Sequence, residues 1–391
     1  MNKSTSNTKI TLFLMVIALE SLAANFAHPV TPTIIKSLNL PDYMFGVAFA
    51  GMAFTNFLFS PFWANMVSRL SSRLVLLICC CGYGGGQILF MLGRDEVSIL
   101  FARLVSGLFV GGIFVAYLTY IINEAPSLIR GKYLALNATF QTVFGAFGYL
   151  VGGYLGLVSI PLTFMVQAGL LILSGILFYL IAKNQQEPNK DVLIRSANPF
   201  KSFLEAKDFM NKMFFIIFIV VFITSSASTA YEQNFNYYIK DIFGFTSNYN
   251  GMLKAGVGFI SLIANTTICM WIMDKKDVKK TLVFIFMLAF GLLELIFINK
   301  AMLPFIIINI VYFGINAIYI PLLQDVVANC TNHDNANQVM GFYNAVKSMG
   351  MVAGALFAGF IYAFGAGLTF LAAGLFFLAS AIIMELWRKK Y

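Results

Sequence analysis

The sequence predicts an all-α integral membrane protein that crosses the bilayer twelve times, in two halves of six helices each. Three observations support this fold class. Of the 391 residues, 59% are hydrophobic and only 11% are charged, and the mean hydropathy is +0.81, far above that of a soluble domain. Apolar runs of about 20 residues, long enough as helices to cross a ~30 Å hydrocarbon core, recur along the whole chain. One long polar stretch, residues 184–213, leaves six such runs on each side.

Each apolar run is predicted to form one membrane-spanning helix. The first run continues into Pro29 and Pro32 and is too long for the core of a signal peptide, so we expect a retained helix. The chain divides into an N-terminal half (1–183), a cytoplasmic linker (184–213) and a C-terminal half (214–391). The twelve predicted spans cover residues 10–35, 43–64, 74–93, 98–122, 133–156, 160–182, 214–238, 248–272, 281–299, 302–325, 338–363 and 367–387.

A weak internal repeat supports the division into two parallel halves. Span five contains Gly148, Gly152 and Gly153, and span eleven contains Gly354 and Gly359 at a similar spacing. Small residues let helix backbones approach closely, which matters because lipid supplies no hydrophobic drive for helix association. We therefore expect close helix contacts at equivalent places in the two halves.

The distribution of charge predicts the orientation. The net charge is +9, and nineteen of the 26 basic residues fall in segments that lie on one side if the N-terminus is cytoplasmic. This is the positive-inside asymmetry, so we expect a multi-pass protein of the cytoplasmic membrane with both termini in the cytoplasm. The basic balance is thus a topology signal, and no nucleic-acid partner is expected.

Chemistry of other kinds has little support in the sequence. The five cysteines lack metal-ligand spacing and an evident disulfide partner, and two histidines leave little scope for a metal site. We find no nucleotide-binding loop and no arrangement of nucleophile and base. The sequence therefore predicts no enzyme, no metal and no cofactor.

Four charged residues stand inside or near the ends of apolar runs: Glu20, Arg103, Glu232 and Lys347. An unpaired charge costs about 2.5–3.5 kcal/mol at the centre of a membrane helix. Charges kept at that cost usually face a water-filled cavity, a partner charge or a translocated ligand. A transporter is therefore the function that the sequence favours.

Several short motifs, in order along the chain, resemble those of one family. They are His28–Pro32 at the end of span one, Ser60–Phe62 in span two, Ser68–Arg73 in the following loop, Arg103 with Gly107 and Gly111 in span four, and Tyr231–Tyr238 in span seven. Over nearly its whole length the chain resembles major facilitator superfamily transporters, and within them the twelve-span drug:proton antiporters of the Gram-positive quinolone-exporter type.

The sequence departs from that pattern at four places. Ser68 stands where the gating loop of the family has an acid, although the second-half counterpart keeps Asp274. The Gly-Pro pair typical of proton antiporters in span five is Gly148-Tyr149, and its equivalent in span eleven is Gly354-Ala355. The acidic position that some of these exporters carry in span ten falls near Asn316. The fold is therefore more strongly predicted than the antiport.

The candidate proton-coupling residues are Glu20, Glu232, Arg103 and His28. Burial favours the neutral form of a carboxylic acid, which lets Glu20 and Glu232 take up and release protons near neutral pH. The usual pKa of a histidine lies near that range, which makes His28 a candidate, and the resemblance implies that Arg103 takes part in proton transfer or braces span one. The alternatives are an interfacial glutamate at 232, a helix–helix hydrogen bond at 20, a helix cap at 28 and a structural ion pair at 103.

The candidate substrate-binding residues are Tyr231, Phe235, Tyr238, Asn316, Tyr319 and Lys347. Aromatic rings can stack on a flat or cationic substrate. Lys347 either neutralises Glu232 or Glu20, or holds an anionic group of the substrate. The resemblance also implies that Arg69, Arg73, Asp274 and Lys275 latch a cytoplasmic gate through charge-assisted contacts with helix ends, the alternative being topology alone.

The sequence thus predicts a secondary active transporter that exports small amphipathic organic compounds in exchange for protons by alternating access. The expected partners are a small-molecule substrate, protons and the lipid bilayer, and the expected state is a monomer. Two alternatives stay open. One is a uniporter or symporter for an anionic metabolite or siderophore-like compound, with Lys347, Arg103 and Lys254 forming a cationic cavity. The other is a non-transporting membrane receptor or a lipid flippase.

Overall fold

Every regular element in the described part of the chain is a helix. The computed structural model describes residues 3–125, 130–183, 207, 209–330 and 336–391. The helices are α1 (Lys3–Ala24), α2 (Thr31–Ser37), α3 (Met44–Leu70), α4 (Ser72–Leu92), α5 (Glu96–Glu124), α6 (Arg130–Val158), α7 (Ile160–Ile181), α8 (Lys212–Asp241), α9 (Ser247–Ala264), α10 (Met270–Lys275), α11 (Val278–Ile298), α12 (Met302–Asn329), α13 (Ala336–Tyr362) and α14 (Leu368–Lys390).

The predicted fold class and its twelve spans are confirmed. Each predicted span corresponds to one helix or to one interrupted helix, with ends that differ by a few residues. Among the described residues, eleven stretches are long and apolar enough to cross a membrane, and the stretch Met44–Ser60 of α3 is a shorter apolar helix. The chain is therefore a multi-pass membrane protein.

Two of the predicted spans are interrupted. Span one consists of α1 and α2, joined by the 3-10 helix His28–Val30, and span eight consists of α9 and α10, joined by the π-helical segment Asn265–Cys269. Interruptions expose backbone groups that need other partners, so in membrane proteins they occur where protein side chains or a cavity supply them. The interruption of span one is the more important, because Glu20 lies one turn before it.

Side-chain caps fix where several helices begin. Asp95 precedes α5 and accepts a hydrogen bond from the backbone N–H of Ser98 at 2.8 Å, and the Ser98 hydroxyl accepts one from the Asp95 N–H in return. This reciprocal capping box satisfies two donors that a helix N-terminus leaves unpaired. The same N–H donors favour the carboxylate and lower the pKa of Asp95 below its usual value. Asn211 caps α8 in a similar way, at 2.9 Å from the N–H of Phe214.

The pairing of helices is repeated along the chain. In the first half α1 packs against α6 and α7, and α4 packs against α5 and α7. In the second half α8 packs against α13 and α14, and α11 packs against α12 and α14. In the first half, span one therefore pairs with spans five and six, and span three pairs with spans four and six. In the second half, span seven pairs with spans eleven and twelve, and span nine pairs with spans ten and twelve. This order is what two copies of a six-helix arrangement require.

Glycines make the closest of these contacts. A side chain at Gly148 or Gly152 of α6 would meet the backbone of Leu22 or Phe26 in span one, and one at Gly354 of α13 would meet the backbone of Ser226 in α8. A side chain at Gly350, four residues before Gly354, would likewise meet the Phe222 carbonyl of α8. The internal repeat found in the sequence did not include Gly350. Gly359 instead packs against the backbone of Tyr43 and Gly46 at the start of α3.

The chain forms two compact units. The first consists of Met1–Leu40, Gly51–Pro199 and Phe245–Gly258, and the second of Pro41–Ala50, Phe200–Gly244 and Phe259–Tyr391. Helices α3 and α9 are therefore each divided between the units, which sequence did not indicate. The predicted boundaries of the two halves and the linker stay predictions, and residues 184–206 and 208 of the linker lie outside the described residues.

Candidate functional site

Glu20 lies in the last turn of α1, in the interior of the first unit. Its side chain is 4% exposed, and the Ser21 hydroxyl donates to its Oε2 atom at 3.5 Å. The phenol of Tyr117 on α5 faces the same carboxylate, and Cys80 and Tyr83 of α4 lie within electrostatic range of it. Among the described residues, no basic side chain pairs with Glu20. The residue is thus a membrane carboxylate surrounded by neutral groups.

Two carbonyl groups at the interruption after Glu20, those of Ser21 and Ala24, accept hydrogen bonds from side chains. The Tyr83 hydroxyl and the Gln167 amide of α7 both donate to the Ala24 carbonyl, each at 3.1 Å. The Asn25 amide donates to the Ser21 carbonyl at 2.8 Å. The last four carbonyls of a helix lack partners within the helix, and an unpaired carbonyl in lipid costs several kcal/mol. The break is therefore a built feature of the first unit.

Arg103 of α5 braces the segment that follows the break. Its Nη2 atom donates to the Thr31 hydroxyl at 2.9 Å, and its guanidinium lies over the Phe90 ring at 3.9 Å. The Thr31 hydroxyl donates in turn to the Ala27 carbonyl at 2.8 Å. The side chain is 4% exposed, so a hydrogen bond and a cation–π contact accompany a buried guanidinium. The two roles that the resemblance implied for Arg103, bracing span one and proton transfer, both stay predictions.

His28 belongs to an aromatic and basic cluster of the first unit. Its ring stacks on Tyr149 of α6, with 5.2 Å between centroids and 13° between planes. Lys254 of α9 lies over the same Tyr149 ring, with its Nζ atom 5.8 Å from the centroid. Lys254 is 6% exposed, so its side chain is buried in the first unit. Tyr149 occupies the position where the antiporter pattern has proline, and here its ring contacts both His28 and Lys254.

The aromatic candidates of α8 lie together in the second unit. Tyr231 contacts the Tyr312 ring of α12 at 4.1 Å between centroids, and its hydroxyl donates to the Asn309 side chain. Tyr238 stacks on Phe305 at 5.1 Å, and Phe235 lies parallel to the same ring. Tyr231 and Phe235 are fully buried and Tyr238 nearly so. The structure brings the three residues into one packed cluster that joins α8 to α12 and α14, and their contact with substrate stays a prediction.

Asn316 and Tyr319 connect α12 to the middle of α8. The Asn316 Oδ1 atom accepts a hydrogen bond from the Ser228 hydroxyl at 2.9 Å, and the Tyr319 hydroxyl donates to the Thr224 carbonyl at 3.2 Å. Sequence reasoning missed Ser228 and Asn309, although polar residues at helical spacing in an apolar run are a usable signal. Glu232 is half-buried one residue after Tyr231 and lies within electrostatic range of Tyr319.

Lys347 lies half-buried near the middle of α13 and makes no hydrogen bond or ion pair with any described residue. Gly350 contacts Phe222 and Ser225, so Lys347, three residues earlier on a parallel helix, is level with about residue 222 of α8. Glu232 lies ten residues further along, about 15 Å at 1.5 Å per residue. Lys347 and Glu232 are therefore not paired in this structure, and the roles expected of Lys347, neutralising Glu232 or Glu20 or holding an anionic group of the substrate, stay predictions.

The gating candidates are only partly described. Arg73 lies at the start of α4 with its guanidinium 4.9 Å from the Tyr179 ring centroid. Asp274 and Lys275 are exposed at the end of α10. The side chain of Arg69 lies outside the described residues. Their role in a latch stays a prediction.

The second unit holds another set of contacts that the sequence did not indicate. The Tyr237 hydroxyl donates to Asp42, just before α3, and the Tyr362 hydroxyl of α13 donates to Asp241 at 2.6 Å. The Tyr237 ring also stacks on Phe45, with 4.6 Å between centroids. These contacts attach the first turn of α3 to the ends of α8 and α13. Three aromatic rings and two carboxylates therefore form one cluster at the predicted outer side.

Twelve membrane helices in a repeated pairing order, with buried charged residues in a polar break, define the class as a secondary transporter. The family model of the Major Facilitator Superfamily matches residues 13–316 and 234–390, and the chain belongs to this superfamily. It is therefore a transporter and not an enzyme.

Known proteins resemble the chain at low identity. It is 21% identical to multidrug resistance protein 2 of Bacillus subtilis (strain 168), over 99% of this chain and 98% of that protein. It is 23% identical to the quinolone resistance protein NorA of Staphylococcus aureus (strain MRSA252), over 44% of each chain. Among solved structures, a bacterial homologue of the human lysosomal transporter Spinster, in an inward-facing and occupied conformation, has the same fold. The TM-score is 0.79 at 12% identity, over 100% of this chain and 98% of that one.

Proposed function

We propose that this transporter exports small amphipathic organic compounds across the cytoplasmic membrane in exchange for protons. The two six-helix halves, residues 1–183 and 214–391, would alternate in access to a site near the middle of the bilayer, joined by the linker 184–213. The asymmetry of basic residues supports cytoplasmic termini. Two of the relatives are named for multidrug and quinolone resistance, and both names are in keeping with this substrate class.

One observation carries the proposal: Glu20 is a buried membrane carboxylate that no described basic group neutralises. Its charged form is costly at that depth, because a charge near the centre of a membrane helix costs about 2.5–3.5 kcal/mol. A group that is neutral when enclosed and charged when exposed to water carries a proton through the transport cycle. Glu232, which is half-buried in the C-terminal half of α8, is proposed as a second proton carrier.

The other candidate residues have supporting roles in this scheme. Arg103 and His28 would modulate the carriers, since Arg103 braces the segment after the break and His28 lies within it. The proposed substrate-binding side chains are Tyr231, Phe235, Tyr238, Asn316, Tyr319 and Lys347. The proposed gating residues are Arg69, Arg73, Asp274 and Lys275.

Transport in proteoliposomes tests the proposal. With an imposed pH gradient, the wild-type protein should move ethidium, a flat amphipathic cation, against its concentration. Glu20→Gln keeps the size of the side chain but cannot release a proton, so it should abolish gradient-driven movement, and Glu232→Gln should reduce it. Glu385→Gln is the matched control, because Glu385 pairs with Arg388 near the end of α14, and it should transport normally. Undiminished transport by both Glu20→Gln and Glu232→Gln would rule out the proposed coupling.

A second candidate function follows from Lys347. A half-buried lysine without a described partner can bind an anionic group, which would suit an anionic metabolite better than a cation. Lys347→Gln separates the two functions. Loss of counterflow of a fluorescent organic anion, with ethidium export intact, would favour the anion carrier. Intact anion counterflow, or none in the wild type, would exclude it.

A further inference from the structure

The end of α1 is held by two side chains that no candidate role includes. Tyr83 and Gln167 come from different helices, α4 and α7, yet both donate to one atom, the Ala24 carbonyl oxygen, at 3.1 Å each. Tyr83 is 3% exposed and Gln167 is fully buried. Both donors are removed from water, and both find their partner in the two lone pairs of this one carbonyl oxygen.

The geometry connects this carbonyl to Glu20. Residues four apart lie on the same face of a helix, so Glu20 and Ala24 face the same neighbours. On α4, Cys80 and Tyr83 are three residues apart and also share a face, with Cys80 near Glu20 and Tyr83 bonded to Ala24. One turn of α4, from Cys80 to Tyr83, therefore lies against the turn of α1 from Glu20 to Ala24.

The hydrogen bonds to the Ala24 carbonyl change the electrostatic potential at the C-terminal end of α1. The last carbonyls of α1 form the negative end of the helix dipole, which opposes a negative charge in the final turn. N–H and O–H donors on the Ala24 carbonyl offset part of that negative potential. Without them, the charged form of Glu20 would be less favourable, and the residue would hold its proton to a higher pH.

We propose that Tyr83 and Gln167 are positioning residues for Glu20, which fix the broken end of α1 and set the pH at which the carboxylate takes up its proton. The inference rests on the proposed role of Glu20 in proton coupling. It adds two residues, from the third and sixth spans, that touch neither substrate nor proton but act through the Ala24 carbonyl.

The other titratable groups near Glu20 are few. Cys80 and Tyr83 face it from α4, and Tyr117 faces it from α5, where Arg103 lies beyond Tyr83. The described residues of α6 and α7 place no titratable side chain against it. The neighbouring phenols and thiol stay neutral through the range in which a carboxylic acid titrates. A titration in that range can therefore be assigned to Glu20 itself.

Infrared spectroscopy of the purified protein in lipid nanodiscs tests the proposal without a substrate. The C=O stretching band of a protonated carboxylic acid is followed against pH, and the Glu20 component is the part that Glu20→Gln removes. Tyr83→Phe and Gln167→Met each remove one donor at nearly constant size. Each should raise the midpoint of the Glu20 band by about 0.5 pH unit, as expected for a partial charge at a helix end. Gln87→Met is the matched control, because this buried glutamine of α4 donates to Ser106 of α5 instead.

The outcomes separate this inference from the proposed function. A midpoint that stays unchanged in Tyr83→Phe and Gln167→Met, or that moves equally in Gln87→Met, overturns the positioning role and leaves the transport proposal in place. Transport by Glu20→Gln that remains proton-driven overturns the proposed function, even if the midpoints move. If one variant does not fold, the other alone decides, since each removes a donor from the same carbonyl.

Discussion

The contact between α8 and α13 offers a sharp test of the structure, through Gly354→Ala. The added methyl carbon would lie 2.8 Å from the Ser226 Cα and 2.9 Å from its carbonyl carbon, and closer still to its carbonyl oxygen. All three are backbone atoms, so no rotamer change can relieve the clash, and the two helices must separate. Overpacking of this kind costs about 1–3 kcal/mol, and the gain in helix propensity from glycine to alanine returns up to about 1 kcal/mol. We therefore expect a net loss of roughly 1–2 kcal/mol.

Gly291→Ala provides the matched control, because a side chain at that position of α11 would meet nothing within 4 Å. Thermal unfolding in detergent can be followed with a thiol-reactive fluorophore, since Cys79, Cys80 and Cys269 are buried in the folded protein. Gly354→Ala should lower the midpoint by several degrees, whereas Gly291→Ala should leave it unchanged or raise it. If Gly354→Ala unfolds at or above the wild-type temperature, the close approach of these two helices is wrong.

Three further predictions concern hydrogen bonds. Tyr237→Phe removes the donor to Asp42, so amide hydrogen exchange in the first turn of α3 should become faster, and unchanged exchange would contradict the contact. Asp95→Ala should lower the unfolding midpoint at neutral pH. Because folding lowers the pKa of Asp95, the stability that its carboxylate contributes is present above the usual carboxylate pKa and is lost as the pH falls through the folded pKa. The difference in midpoint from the wild type should therefore vanish at low pH, and a difference that stays constant with pH would refute the cap. Arg103→Lys should cost about 1–3 kcal/mol in unfolding free energy, since lysine cannot keep both the bond to Thr31 and the ring contact, and equal stability would exclude the brace.

The twelve spans could be predicted from sequence because length and hydropathy alone determine whether a segment can cross lipid. The placement of Glu20 and Arg103 within membrane-spanning helices followed from the same reasoning, whereas their burial did not. The break of span one was signalled only by Pro29 and Pro32, and its carbonyl caps were not predictable. Tyr83 and Gln167 lie 59 and 143 residues from Ala24, and no local pattern connects them.

Lys347 shows a second limit of sequence reasoning. A lysine and a glutamate on neighbouring membrane helices suggest a pair, but pairing depends on the axial register of the helices. Here the register is set by Gly350 and Gly354 against α8, which places Lys347 about 15 Å from Glu232 along the axis. The sequence identifies the charged residues, but the packing of the helices determines which of them lie close together.

The most direct test of the central claim is a simultaneous measurement of proton and ethidium movement in proteoliposomes with the wild-type protein and Glu20→Gln. We expect ethidium export by the wild type to move protons in the opposite direction, and Glu20→Gln to lose this proton movement while it still binds ethidium. Proton movement of wild-type size in Glu20→Gln would contradict the claim that this buried carboxylate carries the coupled proton.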